Sequence, residues 1–179
     1  MIDPVTLRIF GYRALFAAVV MVLAFGRMLP LDMTATNLPG PDLITALAMA
    51  WVLRRPAYVP AGLILIVFLI CDMLFQQPPG LWTMLVLLAT EFLRARQALS
   101  RELPFPLEWG LVALLTFAMI SGHQMMLGLF AVDRPALKLA LVQGVFTLVA
   151  YPVVVFMSRW AMGLRKATPG EADALGSRL

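Results

Sequence analysis

The chain has 179 residues, of which 61% are hydrophobic and 13% charged, with a formal net charge of +4. Its 14 basic and 10 acidic side chains compare with roughly 45 charged residues in an average soluble domain of this length, too few to keep a soluble globule dispersed. A water-soluble single domain is thereby excluded, and the bilayer is the expected solvent.

A helix needs about 20 apolar residues to cross a hydrocarbon core of roughly 30 Å. Six stretches approach this, at about 14–31, 42–53, 57–76, 80–93, 107–130 and 136–158. The reading is an all-α integral membrane bundle of six transmembrane helices, one multi-pass domain over 1–163, with a short cytoplasmic tail at 164–179 expected to be disordered. The first stretch follows Arg8 and Arg13 and ends in Phe25-Gly26-Arg27-Met28-Leu29-Pro30. It contains no small-x-small cleavage site, so a retained span is read rather than a signal peptide.

The second stretch is the short one. Its 12 residues make about 18 Å of helix, well below the core thickness. Either the bilayer thins around it, or it is re-entrant and five helices span. Proline then marks each joint: Pro30, Pro39 and Pro41 before the second stretch, Pro56 and Pro60 before the third, Pro78 and Pro79 before the fourth, Pro104 and Pro106 before the fifth, Pro135 before the sixth. The first turn of a helix tolerates a missing N–H. Pro152 inside the sixth stretch predicts a kink.

Twelve of the fourteen cations are arginine, and their positions orient the chain. With six spans, Arg8, Arg13, Arg54, Arg55, Arg94, Arg96, Arg101, Arg159, Arg165, Lys166 and Arg178 fall inside, against Arg27, Arg134 and Lys138 outside. The five-span alternative gives ten inside and four outside from the same residues. Both leave the C-terminus cytoplasmic; only the N-terminus differs. Trp51, Tyr58, Trp109 and Trp160 fall beside the inner boundary and Trp82 beside the outer one, as interfacial rings do.

Ionisable groups inside spans are the first functional candidates, because a charge at the bilayer centre costs about 2.5–3.5 kcal/mol on insertion scales. Four stand out: Asp42, Asp72, Glu91 and His123. Asp42 follows Pro41 at a helix start, where a carboxylate caps free N–H groups. Asp72 has no basic neighbour within two turns and is read as a hydrogen-bond acceptor facing a neighbouring helix or partner. On that reading Asp72→Leu leaves insertion intact and weakens assembly. Glu91 lies three residues before Arg94, a spacing for a local ion pair. His123 is the lone histidine, more often a hydrogen-bonded core group than a ligand. Cys71 is the single cysteine, so no intrachain disulfide or cysteine-rich metal site is available.

No nucleophile–base constellation and no phosphate-binding glycine loop appears, so neither an enzymatic activity nor a cofactor is expected. Gly62, Gly80, Gly110, Gly122, Gly128 and Gly144 read as helix-packing positions, and the twelve methionines as adaptable filler. The basic loop from Arg94 to Arg101 offers a weak site for anionic lipid. Arginines that orient the chain account for its basicity, and nucleic acid binding is not expected. The repeat-like Leu38-Pro39-Gly40-Pro41 and Leu103-Pro104-Phe105-Pro106 before the second and fifth helices are a weak pointer to a transporter.

One block carries a resemblance. Leu38 through Leu47, including Pro39, Pro41 and Asp42, then Trp51-Val52-Leu53-Arg54-Arg55-Pro56, then Asp72 through Gly80-Leu81-Trp82, then Ala89-Thr90-Glu91-Phe92-Leu93-Arg94 together resemble the rod shape-determining protein MreD family. The likeness covers about residues 37–96 and is strongest to alphaproteobacterial forms. It implies a non-enzymatic scaffold of the bacterial inner membrane that partners MreC. With MreB, RodZ, RodA and an elongation transpeptidase, such a scaffold directs lateral peptidoglycan synthesis and cell shape. That fold is similar to the substrate-binding subunits of energy-coupling-factor vitamin transporters, which is the alternative. The expected partner contacts are the outer polar groups Asp42, Asp72 and His123.

Overall fold

The computed structural model describes residues 4–29, 39–96, 104–130 and 136–161. Among these residues six α-helices form in chain order: α1 (Pro4–Met28), α2 (Leu43–Arg54), α3 (Ala61–Leu74), α4 (Leu81–Ala95), α5 (Phe105–Leu129) and α6 (Leu137–Ala161), with a 3₁₀ turn at Pro56–Tyr58. No described residue is in a strand. Arg101, Arg134, Arg165, Lys166 and Arg178, the joints at Pro30 and Pro135, and the expected tail at 164–179 lie outside the described residues.

Helix boundaries follow the expected joints, with two departures. Helix α1 begins at Pro4 rather than near 14, so Arg8 and Arg13 lie within it. Hydropathy placed the start at the last cation, but an arginine can run its stem along an apolar face and deliver its head to a polar partner. Arg13 does so, donating from Nε and Nη2 to the Ala57 carbonyl at 3.3 and 3.2 Å. The expected third helix, 57–76, is divided instead. Pro60 is held extended (ψ 157°), so the chain makes the 3₁₀ turn first and enters α3 at Ala61.

Two classes of helix result. Helices α1, α5 and α6 have 25 residues each, about 37 Å at 1.5 Å per residue, and all three are long and apolar enough to cross a membrane. Helices α2, α3 and α4 have 12, 14 and 15 residues, about 18–22 Å. Every residue of α2 from Ile44 to Arg54 is buried. The helix packs against α6, α4 and α1, while α3 pairs with α4 and α5 with α6.

Outside this core, large apolar side chains point outward on all the long helices, among them Val22, Phe25, Leu114, Met125, Val149 and Phe156. A surface of this kind is stable against lipid rather than water. The chain is therefore an all-helical membrane protein.

Close approach explains two of the glycines. A Cβ on Gly144 would meet Ile120 Cδ1 at 2.7 Å, so α5 and α6 touch there, and one on Gly122 would meet Leu85 Cδ2 at 3.3 Å on α4. Gly62 and Gly110 have nothing within 4 Å of that position, so the packing expectation does not extend to them.

Candidate functional site

Both ends of α2 carry polar clusters, and the two are built differently. At the N-terminal end Asp42 is the helix cap. Its Oδ1 accepts from the Thr45 N–H at 3.2 Å and its Oδ2 from the Thr45 hydroxyl at 2.6 Å. The Asp42 N–H donates to Thr147 Oγ1 on α6 at 2.8 Å, which ties the start of α2 to α6. Thr45 Oγ1 also accepts from Trp82 Nε1 at 3.3 Å, and the Trp82 ring stands edge-on to His123, with centroids 5.3 Å apart. His123 Nε2 is buried with no hydrogen-bond partner.

Asp72 sits on α3 at 1% exposure. Its Oδ2 accepts from the Gly80 N–H (2.9 Å), the Thr83 N–H (3.2 Å) and the Thr83 hydroxyl (2.8 Å). These are free donors at the start of α4, where the first turn has no intrahelical acceptors. Gly80 has φ +86°, a left-handed conformation that glycine adopts at little cost, and that bend swings its N–H back toward Asp72. The acceptor role expected of Asp72 is thus met inside the chain, at the α3–α4 corner.

A cavity of about 290 Å³ opens at this end. Asp42, Asp72, Trp82, His123 and Pro39 line it, together with Arg27 from α1, Phe68 and Phe75 from α3, and Gln143 from α6. The Arg27 guanidinium stands 3.9 Å from Asp42 Oδ1 and 4.8 Å above the centroid of Phe75. The three groups expected at the outer boundary are thereby gathered around one space.

The C-terminal end of α2 is sealed. Arg54, 6% exposed, donates from Nη2 to Glu108 Oε1 at 3.0 Å, and Glu108 is 2% exposed. Tyr151 of α6 donates its hydroxyl to the same oxygen at 2.9 Å. Arg54 Nη1 caps the Ala50 carbonyl at 3.0 Å. Low dielectric makes such a pair strong only when its remaining polar atoms are also satisfied. Trp51, expected as an interfacial ring, is instead fully buried. Its Nε1 donates to Ser158 at 3.3 Å and its ring packs on Tyr12 and Phe16. It is core because α1 and α6 cover α2 on both sides. Trp160 is exposed, at 81%.

Glu91 and Arg94 form the expected pair at 3.0 Å. Arg94 does more than pair: Nη1 and Nη2 donate to the carbonyls of Pro56 and Val59 at 3.1 and 2.7 Å. With Arg13 on Ala57, arginines from α1 and α4 clamp the 3₁₀ turn, in which Pro56 O also accepts the turn's own bond from the Val59 N–H at 3.2 Å. Arg55 precedes this turn, half-buried.

The sequence-based set omits Glu108, Tyr151, Thr83 and Arg27 as site residues. For Glu108 a signal exists, an acid within the expected span 107–130. Its partner lies 54 positions away, a separation that spacing rules cannot bridge. Among the described residues no three metal-donor side chains lie together. In comparisons with known proteins, no family model, curated protein or solved structure matches this chain.

Proposed function

We propose that this membrane protein is a non-enzymatic scaffold of the bacterial cell-elongation complex, an MreD-like subunit that binds MreC and helps direct lateral wall synthesis. On this reading it lies in the inner membrane with its C-terminus cytoplasmic, and MreB, RodZ, RodA and the elongation transpeptidase are its wider partners. The observation that supports the reading most is how the family-like residues are used. Asp42, Trp51, Arg54, Asp72, Gly80, Glu91 and Arg94 all make contacts within or between α2, α3, α4 and their neighbours. They form an internal frame and leave an apolar exterior for helix–helix association, in keeping with a protein that works by packing.

Copurification with MreC and loss of rod shape on depletion are the expected outcomes. Normal rods after depletion, with no MreC association, would overturn the reading. Labelling of a cysteine placed in 1–7, read from each side of the membrane, separates six spans from five.

The cavity at the α2 N-terminus favours the second reading, a vitamin-binding subunit of the energy-coupling-factor kind. That reading requires a saturable vitamin ligand and dependence on an ATPase module. A thermal shift with candidate vitamins checks it.

A further inference from the structure

The cavity at the N-terminal end of α2 has a chemistry of its own, which the scaffold reading leaves without a role and the vitamin reading leaves without a charge preference. At about 290 Å³ it lies near the lower end of the roughly 300–1,000 Å³ typical of small-molecule sites. Its walls combine the aromatic side chains of Phe68, Phe75 and Trp82 with two carboxylates, Asp42 and Asp72, and one guanidinium, Arg27. Among the described lining residues the formal charge is therefore −1.

Each charged group differs in what it has left to offer. Asp72 takes three donors on Oδ2, which anchors that oxygen to the α3–α4 corner. Asp42 takes one donor on each oxygen, both from Thr45, whereas an ionised carboxylate can accept about four. Arg27 approaches it only to 3.9 Å, with 41% of its side chain exposed, and shares its charge with the face of Phe75. Asp42 thus keeps acceptor capacity at the cavity wall, and the negative excess has no further cation among the described lining residues.

We infer that this cavity binds a small organic cation, an ammonium group carried on an apolar body, with the ammonium at Asp42 and the body against the aromatic walls. A positive charge is favoured twice over, by the carboxylate at low dielectric and by the quadrupoles of the aromatic faces. A carboxylate ligand meets two like charges.

The test is calorimetric titration of the full chain in dodecyl maltoside at pH 7 with three probes of one shape: benzylamine, benzyl alcohol and benzoate. The expected result is saturable binding of benzylamine at one site per chain, with the other two about tenfold weaker or worse, the scale of one lost charge contact. Asp42→Asn keeps the helix cap, since asparagine caps as well as aspartate, and is expected to lower benzylamine affinity about tenfold with thermal unfolding unchanged. Arg27→Gln removes the competing cation and is expected to raise it. Equal binding of the three probes, preference for benzoate, or an Asp42→Asn variant that binds as tightly as the parent overturns the inference. Phosphatidylethanolamine added to the micelles distinguishes the source: competition with benzylamine assigns the site to a lipid headgroup, and no competition to a free amine. Failure to associate with MreC leaves this titration as it is, so the two ideas fail separately.

Discussion

Asp42 and Arg54 stand at opposite ends of the same 12-residue helix, and the protein treats their charges in opposite ways. Asp42 is fixed by short-range bonds to Thr45 while one side stays open to a cavity. Arg54 is enclosed, its charge met by Glu108, which also accepts from Tyr151. The difference teaches that charge within one membrane helix can serve two purposes. An anion at a helix N-terminus is favoured by the backbone itself and leaves capacity for a ligand. A buried cation needs a partner from another helix, and once paired its contribution is to hold that helix in register.

Breaking the sealed end is expected to have the largest effect. Glu108→Leu leaves Arg54 buried without its counter-charge, and removing one partner of a buried pair costs about 3–5 kcal/mol. Unfolding followed by circular dichroism in mixed micelles measures this, and the double variant Arg54→Leu/Glu108→Leu should recover most of the loss. Recovery of nothing would mean that the pair does not act as a unit.

Asp72→Leu comes next, at about 1–3 kcal/mol, because the N–H groups of Gly80 and Thr83 lose their acceptor. The sequence alone suggested that this variant weakens assembly with partners. The buried corner geometry instead predicts a loss in the chain's own unfolding, with Asp72→Asn milder because its carbonyl oxygen still accepts. Tyr151→Phe removes one hydrogen bond to a charged group and is expected to cost about 1–2 kcal/mol in the same assay, within the range for such bonds. The open end gives the smallest effect: Asp42→Asn should change stability by no more than a few tenths of a kcal/mol. A loss as large as that of Tyr151→Phe would show the open end to be as structural as the sealed one.

The helices and their joints are legible in the sequence because hydropathy and proline act locally, as Pro60 and Pro104 at the starts of α3 and α5 show. The Asp42 cap and the Glu91–Arg94 pair are legible for the same reason, their partners lying three residues away. Trp51 is misread as an interfacial ring, and the burial of Arg54 is not foreseen, because an apolar neighbour in the sequence does not say whether protein or lipid will cover the side chain. Both belong to a helix that α1, α4 and α6 enclose, and that enclosure is a tertiary property. Arg27 reads in the sequence only as an outside cation, and its place over Phe75 at the cavity depends on α1 and α3 meeting.

The burial of α2 also bears on how the molecule meets membranes of different thickness. A helix of about 18 Å that touched lipid would force the bilayer to thin around it or would pull polar ends into hydrocarbon. Because side chains of its own chain cover α2 from Ile44 to Arg54, acyl chains do not reach it along that length. Mismatch is then felt by α3 and α4, which are short but expose apolar side chains such as Ile66 and Met84, and by α1, α5 and α6, which at about 37 Å can tilt to suit the host membrane. Through such tilting, bilayer thickness alters the angle at which those helices present themselves to a neighbouring protein, and because Glu108 and Tyr151 sit on α5 and α6 the charged pair at Arg54 feels the same movement.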